Sequence, residues 1–372
     1  MSTKLVHISD IHVARQTRRD LSSDLNYLKA YLRRALPVAG AAGGAALAAR
    51  LAFQKLDDPK FKKKYAEVMA RLRDPDGGWD RRVMGGLLLG LVGASAGLLY
   101  NYRREIMKLL VSLRRDRGKL REALLDDLAD RQIDAVLISG DLTMVANEAE
   151  FESARQFAAR IAGLPSSPRV MVLPGNHDVE DAAKRETKAK LDRFYESFKE
   201  YMPRHGTPAK LRVGDVTLLG VNSTTVGRGV GTNGRVDADE LEFLRKELRA
   251  VSRGAKVVGL HHHLRKKGRE PRILPLENAD ELLAVAREGG AHLIAHGHKH
   301  QQYGWAAEGE GPMVRCAGST TEVTTWRPKE ISYRIFDFDG PELMDTDSVR
   351  ILVRKSGRLD RRETHTGKPV AT

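Results

Sequence analysis

Five strand-like runs, each ending in a cluster of histidine, aspartate or asparagine, set the order of chemistry along this 372-residue chain. Lys4–Ser9 leads to Asp10-Ile11-His12, Ala135–Ser139 to Gly140-Asp141, and Arg169–Leu173 to Gly175-Asn176-His177-Asp178. Lys256–Leu260 leads to His261-His262-His263, and His292–Ala295 to Gly297-His298-Lys299-His300. Each run is short, apolar and rich in branched residues, as a buried strand requires. Five loops at strand ends can converge on one point. Carboxylate, imidazole and amide together suit divalent cations of hard to borderline character; an aspartate can bridge two of them, and no thiolate is needed.

The order Asp-x-His, Gly-Asp, Gly-Asn-His-Asp, His-His, Gly-His-x-His resembles the calcineurin-like metallophosphoesterase superfamily from Leu5 to about Thr321, one long insertion apart. Gly175–Asp178 ends in Asp where the protein Ser/Thr phosphatase branch has Glu, and is closest to the class III cyclic-nucleotide phosphodiesterase branch. The resemblance implies an α/β fold, a four-layer αββα sandwich, with an inserted helical hairpin. It implies Asp10, His12, Asp141 and His300 around one metal, and Asp141, Asn176, His262 and His298 around a second, with Asp141 shared. The family usually reads His-His-Pro at the fourth cluster, with the ligand two places before Pro. Leu264 stands at the Pro position here, which points to His262 and leaves His261 as the alternative. The cofactors implied are two divalent ions, Mn, Fe or Zn, about 3.5–4 Å apart, which make hydroxide the nucleophile. His177 would stabilise the phosphoryl oxygens or protonate the leaving oxygen, and Asp178 would orient its imidazole. His7, His205, His292 and His365 are expected to be structural or exposed, and Gly297 sets the frame so that His298 and His300, not His296, are the expected ligands.

A single Cys316 excludes an intrachain disulfide framework and fits a reducing compartment. The first metal-bearing strand begins at Lys4, so a cleaved signal peptide is not expected and the catalytic face should be cytoplasmic. Of the net charge of +14, +11 lies between Lys29 and Arg117, where 19 Lys and Arg face 8 Asp and Glu. The basic excess therefore belongs to one segment.

That segment is the insertion. It opens with Leu21, Leu25, Leu28 and Leu32 at helical spacing and continues through the apolar stretch Ala35–Phe53 and a basic connector with Lys62-Lys63-Lys64. Val83–Tyr100 follows, uncharged for 18 residues and bracketed by Arg81-Arg82 and Arg103-Arg104. Eighteen helical residues reach about 27 Å, near the ~30 Å hydrocarbon thickness of a bilayer. A connector rich in Lys and Arg conflicts with a two-pass span under the positive-inside bias. A hairpin dipping into one leaflet, its basic flanks on anionic headgroups, resolves the conflict.

The expected organisation is a catalytic domain over residues 1–18 and 119–353, a membrane-associating insertion over 19–118, and a flexible C-terminal tail over 354–372. A helix ends near Asp130, a hairpin turns at Gly214-Asp215, and Asp237 with Glu240 reads as a capping box. Glu277–Glu288 reads as a helix stopped by Gly289-Gly290. Arg265, Lys266 and Lys267 could steer an anionic ester toward the metals. The expected activity is metal-dependent hydrolysis of a phosphodiester or pyrophosphate at the cytoplasmic membrane surface, with a phosphate-ester substrate. A soluble cyclic-nucleotide phosphodiesterase, a nuclease of the repair type and a non-catalytic scaffold are the alternatives. Nucleic acid ranks low as a partner, because the basic segment carries apolar runs instead of interleaved aromatics. A homodimer through the insertion stays open.

Overall fold

The computed structural model describes residues 2–13, 117–144, 146–180, 186–202, 206–226, 233–264, 275–307, 311–320, 329–353 and 359–367. The chain divides into two units, residues 1–13 with 116–372 and residues 14–115. The expected membrane hairpin, including Val83–Tyr100, and the basic trio Arg265–Lys267 lie outside the described residues. Among those described, no helix is long and apolar enough to cross a membrane.

Three strands that the sequence marks as buried, β1 (Thr3–Ile8), β2 (Ala135–Ser139) and β3 (Arg169–Leu173), pair in parallel and in step, Val6 beside Val136 and Val136 beside Val170. Parallel strands in step end along one sheet edge, so Asp10, Asp141 and Asn176 leave from that edge together. Parallel pairing also requires both faces to be covered, which is why these strands read as continuous apolar runs. The helices between them are α1 (Arg117–Ala129) and α2 (Glu148–Ala162), the latter capped by Asn147 Oδ1 accepting from Glu150 N at 3.0 Å. Next come the single turn α3 (Asn176–Val179) and α4 (Lys188–Ser197).

A second sheet is built from β4 (Ala209–Val213), β5 (Val216–Gly220), β6 (Ala255–Gly259), β7 (Leu293–His296), β8 (Gln302–Ala306) and β9 (Met313–Ala317). Its order is β4-β5-β6-β7-β9-β8, with β5, β6, β7 and β9 parallel. β6 and β7 are neighbours, so their following histidine clusters emerge side by side. α5 (Ala238–Ala250) and α6 (Ala279–Glu288) cover its outer face, packing Leu241, Leu244, Leu248 and Leu282 on Leu219, Val258 and Ile294. Between the sheets, Leu5, Leu137 and Leu173 meet Leu218, Val257 and Leu293. Each such side chain contributes about 1.5–3 kcal/mol on burial. Helices outside and two sheets within give the mixed α/β sandwich expected.

The first sheet is completed by β10 (Lys329–Asp339), β11 (Glu342–Val353) and β12 (Leu359–Gly367), in the order β12-β11-β10-β1-β2-β3. β12 lies where a polar tail was expected. It is an edge strand, pairing with β11 alone, and such a strand needs no apolar run to be recognised by its neighbour. The capping box at α5 also differs: Asp237 makes no side-chain cap bond, and Glu240 turns its carboxylate to Asn222 N.

Candidate metal centre

The site is built by backbone first. Asp10 N donates to Gly140 O at 3.1 Å and His12 N to Asp141 O at 2.8 Å, so the loop after β1 runs against the loop after β2. The Asp10 side chain then reaches the last loop, accepting from His298 N at 3.0 Å. Such close convergence bends the chain into conformations that side chains resist. Among the described residues, seven other than glycine have positive φ, and five of them are Asp10, His12, Asp141, His298 and His300, at 45–72°. Left-handed backbone at non-glycine residues is strained and persists only where the surroundings enforce it. Gly140, at φ 92°, answers the same crowding: a Cβ there would lie 2.7 Å from His261 Nδ1.

Two groups of donor atoms result. Asp10, His12, Asp141 and His300 each offer one atom within 4.8 Å of the others, as do Asp141, His261 and His298. In the first, His12 Nε2 and His300 Nε2 are 3.1 Å apart, and Asp10 Oδ1 is 3.1 Å from His300 Nε2. In the second, His261 Nε2 is 3.4 Å from Asp141 Oδ1 and 3.2 Å from His298 Nδ1. Asp141 belongs to both, as expected of a bridging residue.

Of the two candidates at the fourth cluster, the second group holds His261 and not His262. His261 follows β6 directly, and its Nδ1 lies 2.8 Å from Ser139 O, which can only accept. Nδ1 therefore carries a proton, and Nε2 faces Asp141 and His298. Burial opposes charge on this ring, but without a cation the Asp141 carboxylate outweighs it and pushes the ring up to about 9. His262, one residue on, has Nδ1 2.9 Å from Ser223 Oγ, with its ring 5.2 Å from that of His261 and 4.6 Å from that of His298. Counting back from the Pro position points to His262, whereas the convergent donor group contains His261, the alternative that the missing Pro left open. His263 stacks on His298 at 5.5 Å, and His296 is buried with Nδ1 near its neighbour's carbonyl.

Asn176 stands between Gly175 and His177, whose N donates to Asp141 Oδ1; it is buried and its Oδ1 has no hydrogen-bond partner, as is also true of His298 Nε2. A buried acceptor left unpaired costs about 1–3 kcal/mol. A cation would offset that cost, so the residues fit the metals that the motif order implies. Electrostatics agree. Burial alone would push Asp141 up, but His261 and His177, with His12, hold its carboxyl well below the usual carboxylate range. Burial, with His262 and His261 alongside, holds His298 well below the usual imidazole range. Asp141 stays charged and His298 neutral, the forms in which both can ligate.

His177 and Asp178 separate. His177 N donates to Asp141 Oδ1 at 3.0 Å, and its Nδ1 faces Met144 O at 3.0 Å, so Nδ1 carries the proton. Asp178 does not take the orienting role expected of it. Its carboxylate accepts from Leu142 N, Thr143 N, Thr143 Oγ1 and Gly175 N, at 2.8–3.2 Å, and ties the second loop to the third. The reason is helical: consecutive residues in α3 point to different sides. Residues the motifs did not single out complete the surroundings, notably Ser223 at His262 and Glu180, whose Oε1 accepts from Asn176 Nδ2 at 3.1 Å. His7 and His292 are structural as expected, facing Ser139 Oγ and Lys256 N.

A family described as calcineurin-like phosphoesterase matches residues 117–302, half of the chain. No curated protein matches the sequence. Among solved structures, a dimetal phosphatase from Danio rerio is similar at 14% identity and a TM-score of 0.48, covering 68% of this chain and 90% of that one. A purple acid phosphatase from yellow lupin (Lupinus luteus) seeds is similar at 14% identity and 0.45, over 66% and 48%. A 5'-nucleotidase precursor from Thermus thermophilus is similar at 17% identity and 0.37, over 67% and 48%. This chain spans about half the length of the last two.

Proposed function

This chain belongs to the calcineurin-like phosphoesterases, hydrolases of phosphoric ester bonds, and from that premise we propose a two-cation enzyme that cleaves a phosphodiester or pyrophosphate bond at the cytoplasmic face of a membrane. The observation that carries the reading is Asp141, shared by two convergent donor groups. Asp10, His12, Asp141 and His300 would hold one ion, and Asp141, Asn176, His261 and His298 the other. Imidazole, carboxylate and amide donors accept Mn, Fe or Zn. When bound, the ions supply Lewis-acid polarisation of the phosphoryl oxygens and a solvent nucleophile at neutral pH.

The protein's own contribution is positioning and proton traffic. Met144 O fixes the His177 tautomer, and a side chain 14% exposed leaves the ring within reach of a bound ester. Its outward nitrogen can stabilise a phosphoryl oxygen or deliver a proton to the leaving oxygen. Asp178 keeps the loops in register and does not act on the substrate.

The membrane part of the reading rests on the sequence of the insertion, apolar in Val83–Tyr100 and basic around it, which leaves the catalytic body close to the first metal loop. A second reading, a phosphodiesterase for a soluble cyclic nucleotide, is favoured by the Gly175–Asp178 motif. The deciding experiment is hydrolysis of a panel of mono- and diesters by the full chain, with and without anionic vesicles. Vesicle-stimulated turnover together with co-sedimentation supports the first reading; vesicle-independent turnover of cyclic nucleotides replaces it with the second. Turnover that survives chelation, or survives Asp141→Asn, refutes both.

A further inference from the structure

We propose that Glu180 is a positioning residue for the second cation: it fixes the amide of Asn176 so that Oδ1, and not Nδ2, faces the metal position. The inference rests on the reading of Asn176 as a ligand. An asparagine side chain has one end that can ligate and one that cannot, and the two differ little in size. Something must choose between them. Glu180 Oε1 lies 3.1 Å from Asn176 Nδ2, and a carboxylate accepts but does not donate, so the NH2 end must point to Glu180 and the oxygen away from it. That oxygen is buried and without a hydrogen-bond partner.

The backbone holds the pair in place. Asn176 and Glu180 are four residues apart on one turn, and Glu180 N donates to Asn176 O at 3.0 Å, which sets both side chains on one side of α3. Beyond the turn, Glu180 bridges Glu186 in antiparallel fashion, and Thr187 N donates to Val179 O at 3.0 Å. Glu180 is 3% exposed, so water competes little for Nδ2. The other carboxylate oxygen, Oε2, is 3.9 Å from His177 Nδ1. His177 is not among the proposed ligands, so ion occupancy reads the Asn176 contact separately from any effect on the histidine.

A carboxylate behind Nδ2 also polarises the amide and makes Oδ1 a more basic ligand. The same charge explains why an amide suits position 176: an aspartate there would set two buried carboxylates against each other. That reciprocity gives the test. Ions per chain by elemental analysis and second-ion affinity by calorimetry, both with Mn2+, would be measured on folded wild type and variants. Glu180→Ala is expected to keep the first ion and to weaken the second by about 10–100-fold, with Glu180→Gln in between. Asn176→Asp alone should also weaken it. The double variant Glu180→Ala/Asn176→Asp should regain affinity over either single change, since a carboxylate needs no orienting and its repulsive neighbour is gone.

Wild-type second-ion affinity in folded Glu180→Ala would overturn the proposal. So would a double variant no better than its parents, which decides the matter even if Glu180→Ala does not fold. Two ions bound at wild-type affinity by Asn176→Ala would instead refute Asn176 as a ligand, a failure of the underlying site reading distinguishable from the failure of Glu180 alone.

Discussion

Ser223 holds His262 at two points, accepting from its backbone N at 3.1 Å and meeting its Nδ1 at 2.9 Å, with both residues fully buried. Ser223→Ala strands a buried N–H and is expected to lower unfolding stability by about 1–3 kcal/mol. Urea midpoints would show it, and an unmoved midpoint would refute the anchoring. Glu240 carries a pH prediction. Burial pushes its carboxyl up to about 8 although part of the residue still meets solvent, while Asn222 N donates to it. A raised carboxyl keeps its proton in the folded state where the unfolded chain has lost it, so its contribution to stability falls as pH rises from about 4.5 to about 8. Glu240→Gln should therefore melt above wild type near pH 9 and level with it near pH 4. Equal melting at both ends would contradict this. At this scale the sequence named most of the site, because Asp10, His12, Asp141, Asn176, His298 and His300 sit in short motifs at strand ends. It left His261 and His262 as alternatives and missed Ser223 and Glu180, whose parts depend on which groups lie across the loops from them.

Strand β12 is the element the sequence hid. Its polar composition reads as a tail, yet it pairs along β11 from Leu359 to Gly367 and brings Arg362 to the buried carboxylate of Asp127, which Tyr333 Oη and Arg131 also bond. Ending the chain at residue 358 should lower stability by about 1–3 kcal/mol, since Asp127 Oδ1 loses Arg362, and leave β11 as a raw edge prone to self-association. Cation affinity should not change, since β10 and β11 separate β12 from β1. Calorimetric unfolding with Mn2+ titration would separate the two effects, and lost ion binding in a folded truncation would refute the separation. The buried strands were legible because parallel pairing covers both faces, so they must be apolar throughout. Edge strands escape that requirement, and pattern alone cannot recognise them.

At the scale of the molecule, the centre joins loops from both sheets, with Asp10, Asp141 and Asn176 from one and His261, His298 and His300 from the other. Ions bound only by the folded form stabilise it by mass action, about 2.7 kcal/mol for one site at a hundredfold excess over its Kd. Chelation should therefore lower the melting temperature, and a chelator-insensitive melt would argue against resident ions. Sequence by itself determined the layered α/β class, the order of the five metal-bearing loops and the donor chemistry, because burial and ligation each demand particular residue types at particular places. Tertiary structure alone decided which histidine of three faces Asp141, which end of the Asn176 amide is left for a cation, and that Asp178 ties loops together. Those choices turn on hydrogen-bond partners that folding brings together, Ser139 for His261, Glu180 for Asn176, and Leu142 and Thr143 for Asp178, and no local pattern encodes direction in space.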